Sequence, residues 1–417
     1  MHSCESSHRR SNARRGAPIW ARPLLVFLSI EFFDELVYSA EIAALPEIRA
    51  SLGLTYAQIG LLLGLPTLLS TALEPVVMLL GDTHLRRRLI LAGGFAVAGT
   101  LLVAGLAHAF PVLLAAFVLN YPASGAFVTL SQTAMIDSSR GREAQAMARW
   151  TAAGSLGALF GPLALASALA LGTSWHLPFL TLAALAFGLT ALAARLGSRA
   201  RAIAPAGLAP AHLGRHLIAA LRRPMLLRWL VLLNLGDLML DVFAGFAALY
   251  FADAVGLTHT QTGVVLSGMI AAGVLADVLV IPLLERLPAR RLVRLSAAVL
   301  VCLYPAWLVA PWPAVKIGLA LVIRLGTLGW YPVLQAEAYA AAPGQPGTVM
   351  ALASISGVVA AAWTTAIGAV AGLAGLPAAM WILLAGPVAL LLGVPAQDAG
   401  VTIAPAASRA DGPPPER

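Results

Sequence analysis

Long apolar runs separated by short polar breaks recur along the chain and set the fold before any motif is considered. They fall at about 23–46, 58–80, 89–108, 111–134, 150–171 and 176–195. A second set follows at about 226–251, 262–284, 292–311, 314–338, 349–372 and 378–395. A helix needs roughly 20 apolar residues to cross a bilayer core, and each run is close to that length. The runs are continuous rather than alternating, which excludes a membrane β-barrel. The pattern predicts an all-α membrane protein with twelve transmembrane helices in two six-helix bundles, residues 23–195 and 225–395. A polar linker, 196–224, joins them, and tails 1–22 and 396–417 flank them. The linker carries Pro205 and Pro210, and its stretch 211–221 is expected to lie on the anionic inner leaflet. The last tail, rich in Ala and Pro, is expected to be disordered.

Composition agrees with this reading. Of 417 residues, 59% are hydrophobic and 11% charged, with a mean hydropathy of +0.85. That is too little polar surface to coat the two or three soluble domains the length would otherwise suggest. The net charge of +8 is a topology signal rather than a nucleic-acid footprint, because no basic segment is interleaved with aromatics for base stacking. With the N-terminus inside, all but three of the 27 basic residues fall on the cytoplasmic side. The exceptions are Arg49, Lys316 and Arg324. Both termini are therefore expected in the cytoplasm and the chain in the cell (inner) membrane. The first run contains Glu31, Asp34 and Glu35 and lacks a clean cleavage site, so an uncleaved first span is expected. Cys4 and Cys302 form neither a disulfide framework nor a metal spacing.

An internal repeat runs at a constant offset of 203 residues. Gly53-Leu54-Thr55 with Gln58 and Gly60 returns as Gly256-Leu257-Thr258 with Gln261 and Gly263. The same shift maps Asp34 onto Asp237, Glu74 onto Asp277, Asp82 onto Glu285, and Arg87-Arg88-Leu89 onto Arg290-Arg291-Leu292. Rare membrane acids and a loop arginine pair do not align without a gap by chance. Parallel repeats of this kind build transporters with a midplane site between the halves.

On these residues the chain resembles the major facilitator superfamily over about 23–395. Leu54 to Leu62 is similar to that family's approach to its second helix. Asp82-Thr83-His84-Leu85-Arg86-Arg87-Arg88 resembles its loop between helices 2 and 3, with Thr83 and Leu85 departing from the pattern. The second half carries a weaker copy from Glu285 to Arg291, with Pro288 in place of the glycine. Gly157-Ala158-Leu159-Phe160-Gly161-Pro162 resembles part of a fifth-helix motif of the family's antiporters, although its trailing glycines are Leu165 and Ala166. The family's fourth-helix arginine position is Tyr121, and Arg324 stands at the repeat-equivalent position. The resemblance implies alternating access. It also implies a latch at Asp82, Arg86, Arg87, Glu285 and Arg290 that forms while the cytoplasmic side is closed.

The residues themselves call for a wet interior. Nine acids lie inside expected spans: Glu31, Asp34, Glu35, Glu41, Glu74, Asp237, Asp241, Asp277 and Glu337. An ionised carboxylate at the bilayer centre costs roughly 2.5–3.5 kcal/mol even on lenient scales. Only Arg324 opposes them within the membrane. At 100° per residue, Glu31, Asp34, Glu35, Tyr38 and Glu41 share an arc of roughly 120° on the first helix. Asn234, Asp237 and Asp241 share one face of the seventh. Two facing carboxylate stripes suit proton exchange, cation recognition or both. Glu31 and Glu41 lie nearer the span ends, where structural hydrogen bonds are the competing role, and Glu74 and Asp277 stay open between structure and transport. Arg324 either neutralises Glu337 or a first-helix acid, or binds an anionic substrate group. Gly157, Gly161 and Pro162, with Gly154, are expected to permit close packing and a kink.

The expectation is a secondary active transporter for a small-molecule substrate, working as a monomer in the bilayer without cofactor and driven by the proton gradient. Export of a lipophilic or cationic compound in exchange for protons is favoured over proton-coupled uptake of a small organic solute, anionic if Arg324 binds it. No metalloprotease, hydrolase-elbow or phosphate-loop motif supports an intramembrane enzyme or an ATP-driven pump.

Overall fold

The computed structural model describes residues 21–81, 83–139, 143–196, 222–341 and 346–396. These residues form helices and their connections, with no strand among them. The first half comprises α1 (Ala21–Leu52), α2 (Tyr56–Gly81), α3 (Arg86–Gly105), α4 (Phe110–Ser138), α5 (Glu143–Ala170) and α6 (His176–Leu196). The second comprises α7 (Pro224–Ala254), α8 (His259–Arg286), α9 (Ala289–Val309), α10, α11 (Pro346–Ala374) and α12 (Leu376–Gly393). The α10 helix runs as Pro313–Gly326 and Trp330–Ala340 around a turn at Gly329.

Ten of the helices are long and apolar enough to cross a membrane. The α1 helix is longer still, at 32 residues, and carries the four acids Glu31, Asp34, Glu35 and Glu41 along its middle. The expected stretch 211–221, Asp82, and both tails lie outside the described residues, apart from the start of α1 and the last residue of α12's exit.

The repeated Gly-Leu-Thr-x-x-Gln segment has a direct structural cause. Gly53 and Gly256 sit at φ of 63° and 81°, the left-handed region that ends a helix with little strain only for glycine. The next residue closes each stop, with Leu54 N–H donating to Arg49 O and Leu257 N–H to Phe251 O. Then a capping box opens the following helix. Thr55 Oγ1 accepts from Gln58 N–H at 3.2 Å while Gln58 Oε1 accepts from Thr55 N–H at 2.8 Å. Thr258 and Gln261 repeat it at 3.2 and 3.0 Å. Four otherwise orphaned backbone donors are satisfied in this way at equivalent corners.

We term the end holding these corners the upper end, and the end holding the α2–α3 and α8–α9 turns the lower end. Within the first half, α1 lies along α5, and α3 packs on α4 and α6. Within the second, α7 meets α10 and α12, α8 meets α10, and α9 meets α12. Between the halves, α2 crosses α11 and α5 crosses α8, a swapped pairing of repeat-equivalent helices. The α2–α11 crossing is close because both contacts are glycine: a Cβ on Gly60 would stand 3.0 Å from Gly368 Cα.

The upper core of the second half contains the chain's only lysine. Lys316 is buried, and its three ammonium donors go to Tyr250 Oη, Trp307 O and Leu308 O at 2.8–2.9 Å. All three protons are used, and the ammonium also lies 5.0 Å from the Tyr250 ring centre. The group caps the α9 C-terminus, where backbone carbonyls lack helical partners.

Candidate functional site

The acids of α1 are aimed by the way α1 is seated. A Cβ on Gly157 would run into the Phe32 carbonyl, and one on Gly161 would meet Ser39 Oγ and Leu36 O. The two backbones therefore touch, which fixes the rotation of α1 and turns its polar arc inward. Pro162 lies beside this seam, with its carbonyl close to Gly263 of α8.

A cavity of about 300 Å³ lies between α1, α4 and α7. Asp34, Glu35, Tyr38 and Glu41 line one wall, with Val37. Asn120, Tyr121 and Ser124 of α4 line another, and Asp241 of α7 closes a third. Ser124 Oγ donates to Asp34 Oδ1. Asn120 Nδ2 donates to Glu41 Oε1 at 3.4 Å, while Asn120 Oδ1 accepts from Thr100 Oγ1 at 2.8 Å. Asp241 is exposed within the cavity although it lies deep inside the molecule, and Asp34 and Glu35 are partly exposed there; Asp237 is partly exposed but does not line the cavity.

Backbone geometry explains how α7 presents its acids. Residues Leu238–Val242 form a π turn, a local widening that frequently marks functional positions. Asp237 precedes it, Asp241 lies within it, and the two carboxyls pair across one turn. Arg324 of α10 donates to the Met239 and Leu240 carbonyls of this turn at 3.2 and 2.8 Å. Its charge faces Asp241 and Asp277.

The repeat relates the central groups in pairs. Tyr38 corresponds to Asp241 and Tyr121 to Arg324. One half thus places two phenols at the centre where the other places an acid and a guanidinium.

Not every residue marked by the sequence reaches the cavity. Glu337 does not. It is gripped by Arg290 through two bonds of 2.6 and 2.7 Å, because it lies more than three turns below Arg324 on α10 and faces α9. Arg324 therefore does not neutralise it. Glu31 is buried beside the Trp150 side chain and Gly154, against α5. Asn234 donates back to Leu230 O of its own helix at 3.1 Å.

The bonds described for Arg86, Arg87 and Arg290 of the expected latch lie within their own halves. Arg86 donates to Gly81 O at 2.7 Å and pairs with Asp137 at 2.5 Å, and Arg87 donates to Ala194 O at 2.7 Å. Asp82 and the side chain of Glu285 lie outside the described residues.

Sequence reasoning missed a seal at the upper end. Arg49 Nη1 and Tyr56 Oη each reach Asp253 Oδ2 at 3.0 Å, and the guanidinium lies 4.2 Å from the Tyr56 ring centre. His259 Nδ1 pairs with Glu47. Tyr56 and His259 are repeat equivalents and open α2 and α8. Each crosses to an acid near the end of the other half's first helix, so the seal is reciprocal.

Two repeat-related groups of six helices, crossing at glycines around a polar cavity, define a membrane transporter for small solutes. Residues 27–365 match the Major Facilitator Superfamily, and the chain belongs to that family. It is a multi-pass membrane protein of a family of transporters rather than enzymes.

The fold is similar to the crystal structure of the nucleoside transporter NupG, with a TM-score of 0.74 and 14% identity over 89% of this chain and 98% of that one. It is also similar to a bacterial homologue of the human lysosomal transporter Spinster in an inward-facing, unoccupied conformation. There the TM-score is 0.68 and the identity 15%, covering 91% and 95% of the two chains. The peptide transporter POT in complex with sulfate gives 0.69 at 15% identity over 89% and 94%. At such identities the likeness concerns the fold. No curated protein matches the chain by sequence.

Proposed function

We propose that this transporter exports a small cationic or lipophilic organic molecule in exchange for protons, acting as a monomer with both termini in the cytoplasm. The observation that carries the reading is the charge balance of the cavity. Asp34, Glu35 and Asp241 line it, Asp237 stands beside Asp241, and Arg324, the guanidinium at their side, is tied to backbone carbonyls. Carboxyls without matched cations inside a membrane protein are neutralised by a proton or by a positively charged ligand. A site that accepts either exchanges one for the other. The volume of about 300 Å³ lies at the small end of ligand pockets, and Tyr38 and Tyr121 supply ring faces suited to an organic cation.

The upper seal and the arginine-rich lower turns support the sense of the cycle. Positive-inside bias assigns the lower end to the cytoplasm. With the upper end held by Arg49, Asp253, Glu47 and His259, the cavity receives its solute from the cytoplasmic side, and rocking of the halves then releases it on the other.

The test is proton movement in proteoliposomes that hold the purified chain and an internal pH probe. Cationic, neutral and anionic compounds are added in turn. A pH change triggered by cations and lost in Asp34→Asn is the expected result, with protons moving opposite to the compound. Protons moving with the compound would replace exchange by co-transport. Compound flux without any proton movement would overturn the coupling.

A further inference from the structure

Resting on that reading, we propose that Glu41 is the acid that carries the exchanged proton, positioned by Asn120 and Thr100, while Asp34, Glu35 and Asp241 meet the positive charge of the solute. The acids of α1 separate by access. Asp34 and Glu35 are partly exposed to the cavity, whereas Glu41 keeps 4% of its surface and its partner Asn120 keeps 6%. A solute of several heavy atoms cannot grip a carboxyl with so little surface. A proton, handed over by a single water, can reach it.

Glu31 is also buried, at 9%, but it faces Trp150 and Gly154 of α5 and does not line the cavity. Glu41 does line it. The two buried acids therefore differ in the one respect that matters for exchange.

The Thr100 hydroxyl has two acceptors in reach, the Val97 carbonyl of its own helix at 3.0 Å and the nearer Asn120 carbonyl oxygen. Thr100 Oγ1 donates to the Asn120 carbonyl oxygen at 2.8 Å. That leaves the amide N–H of Asn120 to face Glu41 Oε1, at 3.4 Å. Asp34, Glu35 and Tyr38 of α1, Tyr121 of α4 and Asp241 of α7 are the titratable groups facing the same space. Among the described residues no arginine, lysine or histidine bonds Glu41. One long amide bond and no cation suit a group whose charge is transient.

Position completes the argument. Glu41 lies seven residues above Asp34, about 10 Å along the helix axis, and six below Glu47 of the upper seal. It stands between the solute acids and the closed end, so it is the first cavity acid met from above once the seal parts.

The test uses the full chain in proteoliposomes with ethidium as the probe cation. In Glu41→Gln, ethidium binding is expected to stay within about three-fold of wild type, and exchange of labelled for unlabelled ethidium to persist. Proton-driven ethidium transport is expected to fall at least roughly ten-fold. Glu41→Asp should restore part of the coupling. Thr100→Val, which keeps the acid but frees the Asn120 amide to turn, should shift the pH of half-maximal transport with ethidium binding unchanged. Loss of ethidium binding in Glu41→Gln comparable to that in Asp34→Asn would make Glu41 a solute ligand and overturn the assignment, as would unchanged proton coupling. If Glu41→Gln fails to fold, an unshifted pH profile in Thr100→Val overturns it. A wild type that moves ethidium without protons would instead overturn the exchange reading itself.

Discussion

The helices α1 and α7 are repeat equivalents, with the same number of residues between Asp34 and Gly53 as between Asp237 and Gly256. Yet they are built differently. The α1 helix is α-helical throughout its 32 residues, whereas α7 contains two π turns, Leu238–Val242 and Tyr250–Ala254. Their supports differ in parallel. Gly154, Gly157 and Gly161 of α5 lie against α1, and the equivalent positions on α11 are Gly357, Ala360 and Thr364. The α11 helix packs mainly on α2 and touches α7 far less than α5 touches α1. The first half thus holds its acids on a helix clamped by backbone contact. The second holds them on a helix whose winding is secured from the side by Arg324. Duplication preserved register and corners while letting backbone and charge diverge between a rigid wall and an adjustable one.

Four tests probe that contrast, the largest effect first. Asp34→Asn should reduce proton-coupled transport at least roughly ten-fold, a loss of transition-state or binding energy of about 1.4 kcal/mol or more. Asp237→Asn should cost less, because Asp241 remains beside it. Initial rates in proteoliposomes compare the two, and an equal loss would make the halves equivalent after all.

Second in size is Gly157→Leu, which forces α1 and α5 apart. Overpacking of this kind costs about 1–3 kcal/mol or more. The detergent-purified protein should melt several degrees lower, whereas Ala360→Leu on α11 should leave the melting temperature nearly unchanged. Arg324→Lys keeps the charge but replaces the planar Nη1 amino group, whose two N–H bonds serve both carbonyls, with a shorter-reaching ammonium. Amide exchange should quicken across 238–242 with no change in 31–41, and uniform protection would separate the π turn from its arginine. The smallest effects belong to Tyr56→Phe and His259→Phe. Each removes one reciprocal bond of the seal, about 0.5–1.5 kcal/mol. Spin-label distances across the upper end should show a modestly larger open population in each, and a similar one because the two positions are equivalent.

Much of this is legible in the amino-acid sequence. The twelve spans, the register of the repeat and the inward face of α1 follow from periodicity and from the cost of a charge in lipid. The Gly-Leu-Thr-x-x-Gln match was readable as a repeat, and its meaning as a stop followed by a capping box came from the backbone.

Other features had no one-dimensional signal. Asn120, Tyr121 and Ser124 are single polar residues in an apolar helix, and only the approach of α4 to α1 makes them cavity groups. Glu47, Asp253 and His259 sit at helix ends, where polar residues are ordinary. As an acid within a span, Glu337 reads in sequence like the cavity acids. Its distance along α10 and the nearness of Arg290 decide otherwise. The π turns left no trace, since they change winding without changing residue count.

The seal at the upper end carries a consequence for the medium around the protein. The Arg49 and Asp253 side chains keep 27% and 23% of their surface, so their attraction acts partly through the surrounding electrolyte. The screening length there shrinks from about 10 Å at 0.1 M salt to about 3 Å at 1 M. Concentrated salt outside the membrane therefore loosens this end without touching the buried acids, and dilute medium tightens it. The ionic strength facing that surface becomes a dial on which way the resting protein points.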